Sequence, residues 1–231
     1  MNKQKLKYLL VVLFILSLNL VTGIAQVKAT TQTEEIKVIK DAKIMVDNPD
    51  TNYGADQYVR LWHFHREDGF LFFNLDSIME KNYTSAMLRI YICESTATTV
   101  QIFPVNQSWN EDTITWNNVP DVNMSIMCSQ YFPVRLGFSY INVTSIVSNW
   151  TSGIIPNFGF YLRTTINGLR FYSKEDSDEE RHPILEITVP SQKSSQPSIA
   201  GFEVTIALFG MIGVIVILLI NKRQIIRKNI S

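Results

Sequence analysis

Residue types that commonly build reactive centres are scarce in this chain. Its 231 residues include two cysteines and three histidines, with no Cys-x-x-Cys pair and no Cys/His cluster. The sequence therefore does not suggest a zinc site. Gly-x-Ser-x-Gly, His-Glu-x-x-His and the phosphate-binding loop are also absent. The chain thus lacks the motifs of serine hydrolases, zinc proteases and P-loop nucleotide-binding proteins.

An excess of charge of one sign is also lacking, but only because the two ends mask the middle. The whole chain carries 21 basic and 21 acidic residues, whereas residues 30–200 hold 13 Lys and Arg against 20 Asp and Glu, a formal charge of −7. An acidic body argues against nucleic acid and against an anionic membrane surface as partners.

Long apolar runs occur at the two ends of the chain. Near the N-terminus, three lysines precede an apolar run from Tyr8 to about Leu20, and small or modest residues follow up to Ala29. Residues 1–29 are therefore predicted to be a secretory signal peptide, with an uncleaved membrane anchor as the alternative.

The C-terminal run covers residues 202–220 and is followed by a basic tail at residues 221–231. At 1.5 Å per helical residue this run measures about 28 Å, enough to cross a bilayer core. Positive charge after the span places the tail inside the cell and the body outside. We expect a single-pass cell-membrane protein with an extracellular domain over residues 30–189 and a polar stalk over residues 190–201.

The body alternates short β-type segments with turn residues. One segment, residues 144–150, has helical spacing instead, with Thr144 as its predicted N-cap. Strands do not alternate with helices, so the sequence predicts an all-β fold, a jelly-roll β-sandwich with one short helix. The predicted strands are 36–40, 41–46, 58–64, 70–75, 85–93, 100–105, 139–143, 158–163, 169–173 and 184–189. Residues 41–46 form either a second strand or the continuation of the first strand past a kink.

The most informative stretch is residues 109–120, in which Trp109 and Trp116 flank an acidic turn. It predicts a turn, a short strand at 114–116 and a second turn. The tryptophans are either core anchors or a stacking platform for a ligand, and the energetics of aromatic burial favour the core. Glu111 and Asp112 would point apart on a strand. We therefore expect them to form the turn and not the converging carboxylate pair of glycoside hydrolysis.

Several motifs occur in the order found in one known family. The first half holds Asp41-Ala42-Lys43-Ile44, Asn52-Tyr53-Gly54, Phe70-Leu71-Phe72-Phe73-Asn74-Leu75 and the block at 109–120. The second half holds Asn142-Val143-Thr144-Ser145-Ile146-Val147, Asn157-Phe158-Gly159-Phe160, Phe171-Tyr172-Ser173-Lys174-Glu175 and His182-Pro183-Ile184-Leu185. From about Ile36 to Val189 the chain resembles the DNRLRE domains, which are related to the family ninety-six carbohydrate-binding modules.

The resemblance implies a jelly-roll module on extracellular proteins that binds polysaccharide and is not itself an enzyme. A structural or adhesive envelope protein that contacts other surface proteins is the alternative, and a polysaccharide lyase or hydrolase is less favoured. The family usually has Arg-Phe-Asp-Leu and Asp-Val-Thr where this chain has residues 72–75 and 142–144. Residues 199–203 resemble the C-terminal sorting signals of archaeal surface proteins, with Ala200 in place of the usual proline.

Candidate ligand-binding residues combine rings for sugar stacking with guanidinium groups that suit an acidic glycan. They lie on an early strand and its flanks and in a late hairpin: Tyr53, Arg60, Trp62, Arg66, Arg170 and Tyr172. Structural calcium is the one candidate cofactor, because loop oxygens could supply part of the six to eight ligands that it needs. The candidate metal ligands are Asp41, Asp47, Asp50, Asn52 and Glu175.

Two kinds of covalent modification are also suggested. Cys93 and Cys128 lie in the exported part, where an oxidising compartment would allow them to pair. Sequence alone does not show that their Cα atoms lie within about 7 Å, so a disulfide and two free buried thiols both remain open. Asn-x-Ser/Thr sites predict a glycoprotein modified at Asn82, Asn106, Asn123, Asn142 and Asn149.

Overall fold

A computed structural model describes residues 31–190, which contain ten β-strands and one α-helix. The strands are β1 (Thr31–Met45), β2 (Tyr58–Trp62), β3 (Glu67–Phe73), β4 (Ser85–Ser95), β5 (Thr98–Pro104), β6 (Cys128–Phe132), β7 (Gly137–Asn142), β8 (Phe160–Thr164), β9 (Gly168–Tyr172) and β10 (Ile184–Pro190). The helix α1 (Thr144–Thr151) follows β7, and 3₁₀ turns cover Asp76–Ile78, Trp116–Asn118 and Glu179–Arg181. The predicted signal peptide, span and tail, and the stalk after Pro190, lie outside the described residues. Within residues 31–190 no helix is both long and apolar enough to span a bilayer.

Strand β1 belongs to both layers of the sandwich. Its first half pairs antiparallel with β10, with Thr31 opposite Pro190, and its second half pairs with β3, with Met45 opposite Glu67. The register shifts between Val38 and Lys40, and such an irregularity bends a strand. The predicted segments 36–40 and 41–46 are therefore one strand, which also includes the polar residues before them.

The other strands complete two antiparallel layers. The front layer runs β1, β3, β8, β5 and β6. In the back layer, one edge of β4 pairs with β7. The other edge pairs with β10 along its first half and with β9 along its second half. Strand β2 pairs with β9 along its length and meets β3 at a tight turn. The predicted all-β jelly-roll sandwich with one short helix is confirmed for the part of the chain that the structure describes.

The main core lies between the layers, and α1 closes one end of it. Ile146, Val147 and Trp150 are buried, and the Trp150 ring lies 4.6 Å from that of Phe160. The prediction that Thr144 caps this helix is wrong, because the N-cap is Val143. The Thr144 hydroxyl instead accepts a hydrogen bond from the Ala86 amide of β4 at 2.9 Å, so it joins the helix to the sheet.

A second apolar cluster covers the outer side of the front layer. The loop between β5 and β6 folds over Phe70 and buries Trp109. The rings of Phe70 and Trp109 lie 5.5 Å apart. The Trp109 indole nitrogen donates to the carbonyl of Phe158 at 2.8 Å, which satisfies its one polar group. The core position predicted for Trp109 is confirmed. Trp116 is only half-buried at the margin of this cluster.

The short strand predicted at 114–116 is wrong. The chain there makes a 3₁₀ turn over Trp116–Asn118, closed by reciprocal bonds between Thr115 and Asn118. The Thr115 amide donates to the Asn118 side chain at 2.7 Å. Short polar side chains compete in this way with the hydrogen bonds of a β-ladder.

Candidate functional site

A cleft of about 670 Å³ opens on the outer surface of the front layer, beside the second apolar cluster. Its volume falls in the usual range for sites that hold small ligands. Strands β3, β5 and β8 supply its floor, and the β2–β3 turn supplies a wall. The lining residues are His63, Phe64, Arg66, Asp68, Gln101, Tyr161, Arg163, Thr164 and Thr165.

The β2–β3 turn holds an exposed ring next to a fixed guanidinium. Strand β2 ends at Trp62, two residues before the predicted end, and Arg66 takes a φ of 47°, a conformation that suits a turn. The Arg66 guanidinium lies 4.7 Å over the ring of Trp116. Phe64 is 72% exposed, the most exposed large apolar side chain described. An aromatic face and a positive charge are thus presented together on this wall.

Asp68 is a buried carboxyl on the floor of the cleft. The Tyr161 hydroxyl donates to Asp68 Oδ2 at 2.7 Å. Burial raises the pKa of Asp68, while the hydrogen bond from Tyr161 and the charges of Arg163 and Arg66 oppose that shift. Burial, together with Asp68 itself, also raises the pKa of Tyr161, so the phenol remains a donor at physiological pH.

The cleft is locally positive on an acidic domain. Arg163 donates through Nε to the Gln101 side chain at 3.0 Å, and within residues 31–190 neither Arg163 nor Arg66 forms an ion pair with a carboxylate. Two arginines and one aspartate line the cleft, whereas residues 31–190 as a whole carry 12 basic and 20 acidic side chains. A local excess of positive charge attracts an anionic ligand.

Only one predicted ligand-binding residue, Arg66, lines the cleft. Arg60, Trp62, Arg170 and Tyr172 lie on the outer face of the back layer, where their charges and rings engage one another. Arg60 lies 4.5 Å over the Trp62 ring and pairs with Glu67 at 3.2 Å.

The same arrangement continues along β9. Arg170 lies 4.6 Å over the Tyr58 ring and pairs with Glu94 at 3.3 Å. Tyr172 packs 5.2 Å from Tyr58, and Arg181 covers its ring at 4.4 Å. The guanidinium groups therefore already cover the rings that a sugar would need. The sixth residue, Tyr53, lies in the loop after β1 under the ammonium of Lys43.

The sequence gives only weak indications of the cleft residues that were not predicted. Asp68 is a charged residue at the start of an apolar strand, and Arg163 follows Tyr161 at the two-residue period of one strand face. Gln101 and Arg163 face each other across the β5–β8 pair. The pairing of distant strands brings these residues together, and no local pattern shows that pairing.

The predicted metal ligands do not converge. The Asp41 carboxylate accepts from the Lys174 amide at 2.7 Å, and Asp47 pairs with His65 at 3.0 Å. Asp50 and Asn52 bond to the 105–127 loop, and Glu175 pairs with Lys174. Within residues 31–190 no three His, Cys, Asp or Glu side chains form a group that could hold a metal ion. Calcium binding by these residues stays a prediction for a binding measurement.

Glu111 is more than the turn former that the sequence suggests. Its Oε1 accepts from the Asp41 amide at 2.7 Å, and its Oε2 lies 3.2 Å from Lys174 Nζ. Burial raises the pKa of Asp41 to about 7, partly offset by the hydrogen bond from the Lys174 amide. This network joins β1, the 105–127 loop and the segment after β9, so it brings three separate sequence motifs into contact.

The structure has both cysteines as free thiols. Cys93 Sγ donates to the carbonyl of Arg170 in the back layer, and Cys128 Sγ lies 3.3 Å from the hydroxyl of Ser145. The disulfide that the sequence left open is therefore not formed. Each of the predicted glycosylation sites is at least partly exposed: Asn82, Asn106, Asn123, Asn142 and Asn149. Their modification stays a prediction.

Two comparisons with known proteins bear on this chain. Among curated proteins there is no significant match. Residues 32–189 match carbohydrate-binding module family 96, over well more than half of the chain and all ten strands of the sandwich. The match agrees with an open cleft that presents an exposed ring, two arginines and several hydrogen-bonding groups. The chain belongs to carbohydrate-binding module family 96.

Proposed function

We propose that the front cleft binds an anionic polysaccharide and that the protein does not catalyse a reaction on it. One observation carries the proposal: Arg66 and Arg163 line an open cleft without a carboxylate partner from residues 31–190. Of the other five arginines in residues 31–190, Arg60, Arg89, Arg170 and Arg181 are already ion-paired. Arg135 lies away from the cleft in the β6–β7 loop and donates to the carbonyl of Phe138.

The chemistry of the lining matches a charged sugar. Guanidinium groups make strong charge-assisted hydrogen bonds with carboxylate or sulfate oxygens. Phe64 offers a ring for the apolar face of a sugar, and the side chains of Gln101 and Thr165 offer hydrogen bonds to hydroxyl groups. A hydrogen bond to a charged group contributes about 1.5–3 kcal/mol, so loss of one arginine contact should weaken binding roughly ten- to a hundredfold.

The lining also supports a binding role without catalysis. Glycoside hydrolysis uses two carboxyl groups on either side of the scissile bond. Among the described residues that line the cleft, Asp68 is the one carboxyl group, and Glu111 lies elsewhere in a salt bridge. Binding without cleavage is also the role of a carbohydrate-binding module.

The cellular setting is part of the same proposal. A signal peptide at residues 1–29 and a span at residues 202–220 would place the module outside the cell on a single membrane anchor. Polysaccharide would then be bound at the cell surface, with no role for nucleic acid.

Contact with other surface proteins is a second candidate function. Seven of the 13 exposed large apolar side chains lie between residues 124 and 140, around the free edges of β6 and β7. Apolar side chains grouped on an exposed surface are typical of protein-interaction sites. This surface is separate from the cleft, so a β6–β7 variant that keeps polysaccharide binding but loses partner capture would support it.

The main proposal is tested by binding of the full chain in detergent to immobilised polymers. Polygalacturonate and dextran sulfate are the anionic probes, and dextran is the neutral control. We expect wild-type protein to bind the anionic polymers and not dextran, with binding that weakens as salt is added. Arg163→Gln and Arg66→Gln should weaken binding at least tenfold.

Arg170→Gln is the matched control, because it removes the same group from the back layer. It should bind as the wild type does. Equal binding of dextran, or an Arg170→Gln variant as weak as Arg163→Gln, would contradict the assignment of the cleft.

A further inference from the structure

Asp68 is an acceptor in a cleft otherwise suited to anions. It lies on the floor with Arg66 and Arg163 around it, yet within residues 31–190 no ion pair joins it to either arginine. A carboxylate at this point repels an anionic ligand. Its presence therefore calls for a different partner.

The carboxyl group is held rigidly by its neighbours. Tyr161 donates to Oδ2, and the Tyr161 ring is itself buried against Phe70 at 5.3 Å and Phe103 at 6.2 Å. Asp68 lies near the start of β3, opposite Ile44 of β1, and β3 is held between β1 and β8. Because strand and ring fix it on both sides, Asp68 can place an acceptor oxygen accurately.

One oxygen of this carboxyl group is left for a ligand. Tyr161 uses Oδ2, and Oδ1 accepts no hydrogen bond from residues 31–190. Arg163, another donor on the same floor, directs Nε to Gln101 instead. A carboxylate oxygen that lines a cleft of this size can accept hydrogen bonds from the hydroxyl groups of a sugar ligand.

We propose that Asp68 Oδ1 forms a hydroxyl-reading subsite, which accepts hydrogen bonds from free sugar hydroxyls beside the anionic group held by Arg66 and Arg163. The inference rests on the proposed function. The fitting ligand carries a carboxylate and free hydroxyls on the same stretch of chain, as uronic-acid polymers do. Acetyl groups on those hydroxyls remove the donor and leave a buried carboxyl group without a partner, which is costly.

The test compares two polymers that differ only at the hydroxyls. Polygalacturonate and O-acetylated polygalacturonate carry the same carboxylates, and the full chain in detergent is titrated with each. Wild-type protein should bind the unmodified polymer at least tenfold more tightly.

Asp68→Asn should affect binding of the two polymers differently. Binding of the unmodified polymer should weaken about tenfold, because the charged acceptor is lost. Binding of the acetylated polymer should be unchanged or tighter, because a repelling charge is removed. Equal binding of both polymers by wild-type protein would overturn the inference, and this result needs no variant to fold.

Arg163→Gln separates this inference from the proposed function. This variant should weaken the binding of both polymers alike, because it removes a contact to the anionic group. Arg163→Gln could weaken the binding of both polymers while wild-type protein shows no preference between them. In that case the cleft binds polysaccharide and the hydroxyl-reading subsite is wrong. If wild-type protein binds neither polymer, the proposed function and the inference that rests on it both fail.

Discussion

Asp41 should make the stability of the domain depend on pH in an unusual direction. Its side chain is 1% exposed, and burial raises its pKa from 3.8 to about 7, partly offset by the Lys174 amide. Between these two values the folded chain keeps a proton on Asp41 that the unfolded chain has lost. The free energy of unfolding therefore falls as pH rises from about 4 to about 7.

The size of this effect follows from the shift. Each pKa unit corresponds to 1.36 kcal/mol, so a shift from 3.8 to about 7 corresponds to roughly 4 kcal/mol. Asp41→Asn keeps the shape and an acceptor for the Lys174 amide but removes the titration. Relative to wild type, the free energy of unfolding of the variant should rise by about 3 kcal/mol between pH 4.5 and 7 and then level off at higher pH.

Urea unfolding followed by tryptophan fluorescence measures this difference at pH 4.5, 5.5, 6.5, 7.5 and 8.5. Taking the difference between Asp41→Asn and wild type cancels the contributions of other titrating groups. Asp112→Asn, which makes the same chemical change at an exposed carboxylate of the 105–127 loop, is the matched control. A difference for Asp41→Asn that is flat from pH 4.5 to 7.5 would refute the buried, protonated state of Asp41.

Three further outcomes are expected. Trp109→Ala should lower the free energy of unfolding by about 3–5 kcal/mol in urea titrations, because a buried ring is lost; Trp116→Ala should cost clearly less, and equal losses would contradict the packing. Gly54→Ala should cost about 1–3 kcal/mol in the same assay, since its Cβ would overlap the Glu111 carbonyl, and an unchanged midpoint would count against that contact. Ellman's reagent should titrate two thiols in the unfolded, unreduced chain, whereas none would indicate a disulfide.

The fold was largely predictable because its signals are local. Alternation of apolar and polar residues defines β4, where Ala86, Leu88, Ile90 and Ile92 are all buried. Strand β6 escaped prediction because Ser129, Gln130 and Tyr131 are all exposed on an edge and show no alternation. The first residues of β1 were missed for a similar reason, since a polar sequence there is stabilised by pairing with β10 and not by burial.

The site was predictable only in part, because it depends on contacts between distant segments. Arg66 was identified from residue type, but its neighbours in the cleft are brought together by the β3–β8 and β8–β5 pairs. Glu111 was assigned to a turn because its neighbours form one. Its ion pair with Lys174 joins residues more than sixty positions apart, which no local pattern reveals.

The two ends of β1 determine how the module can be displayed. Thr31 lies opposite Pro190, so the chain enters and leaves the described domain side by side. Met45, at the other end of the same strand, lies opposite Glu67, next to the cleft. A 15-residue strand at about 3.3 Å per residue separates these ends by up to roughly 45 Å. The chain therefore enters and leaves the domain near one end of β1, and the cleft opens near the other end.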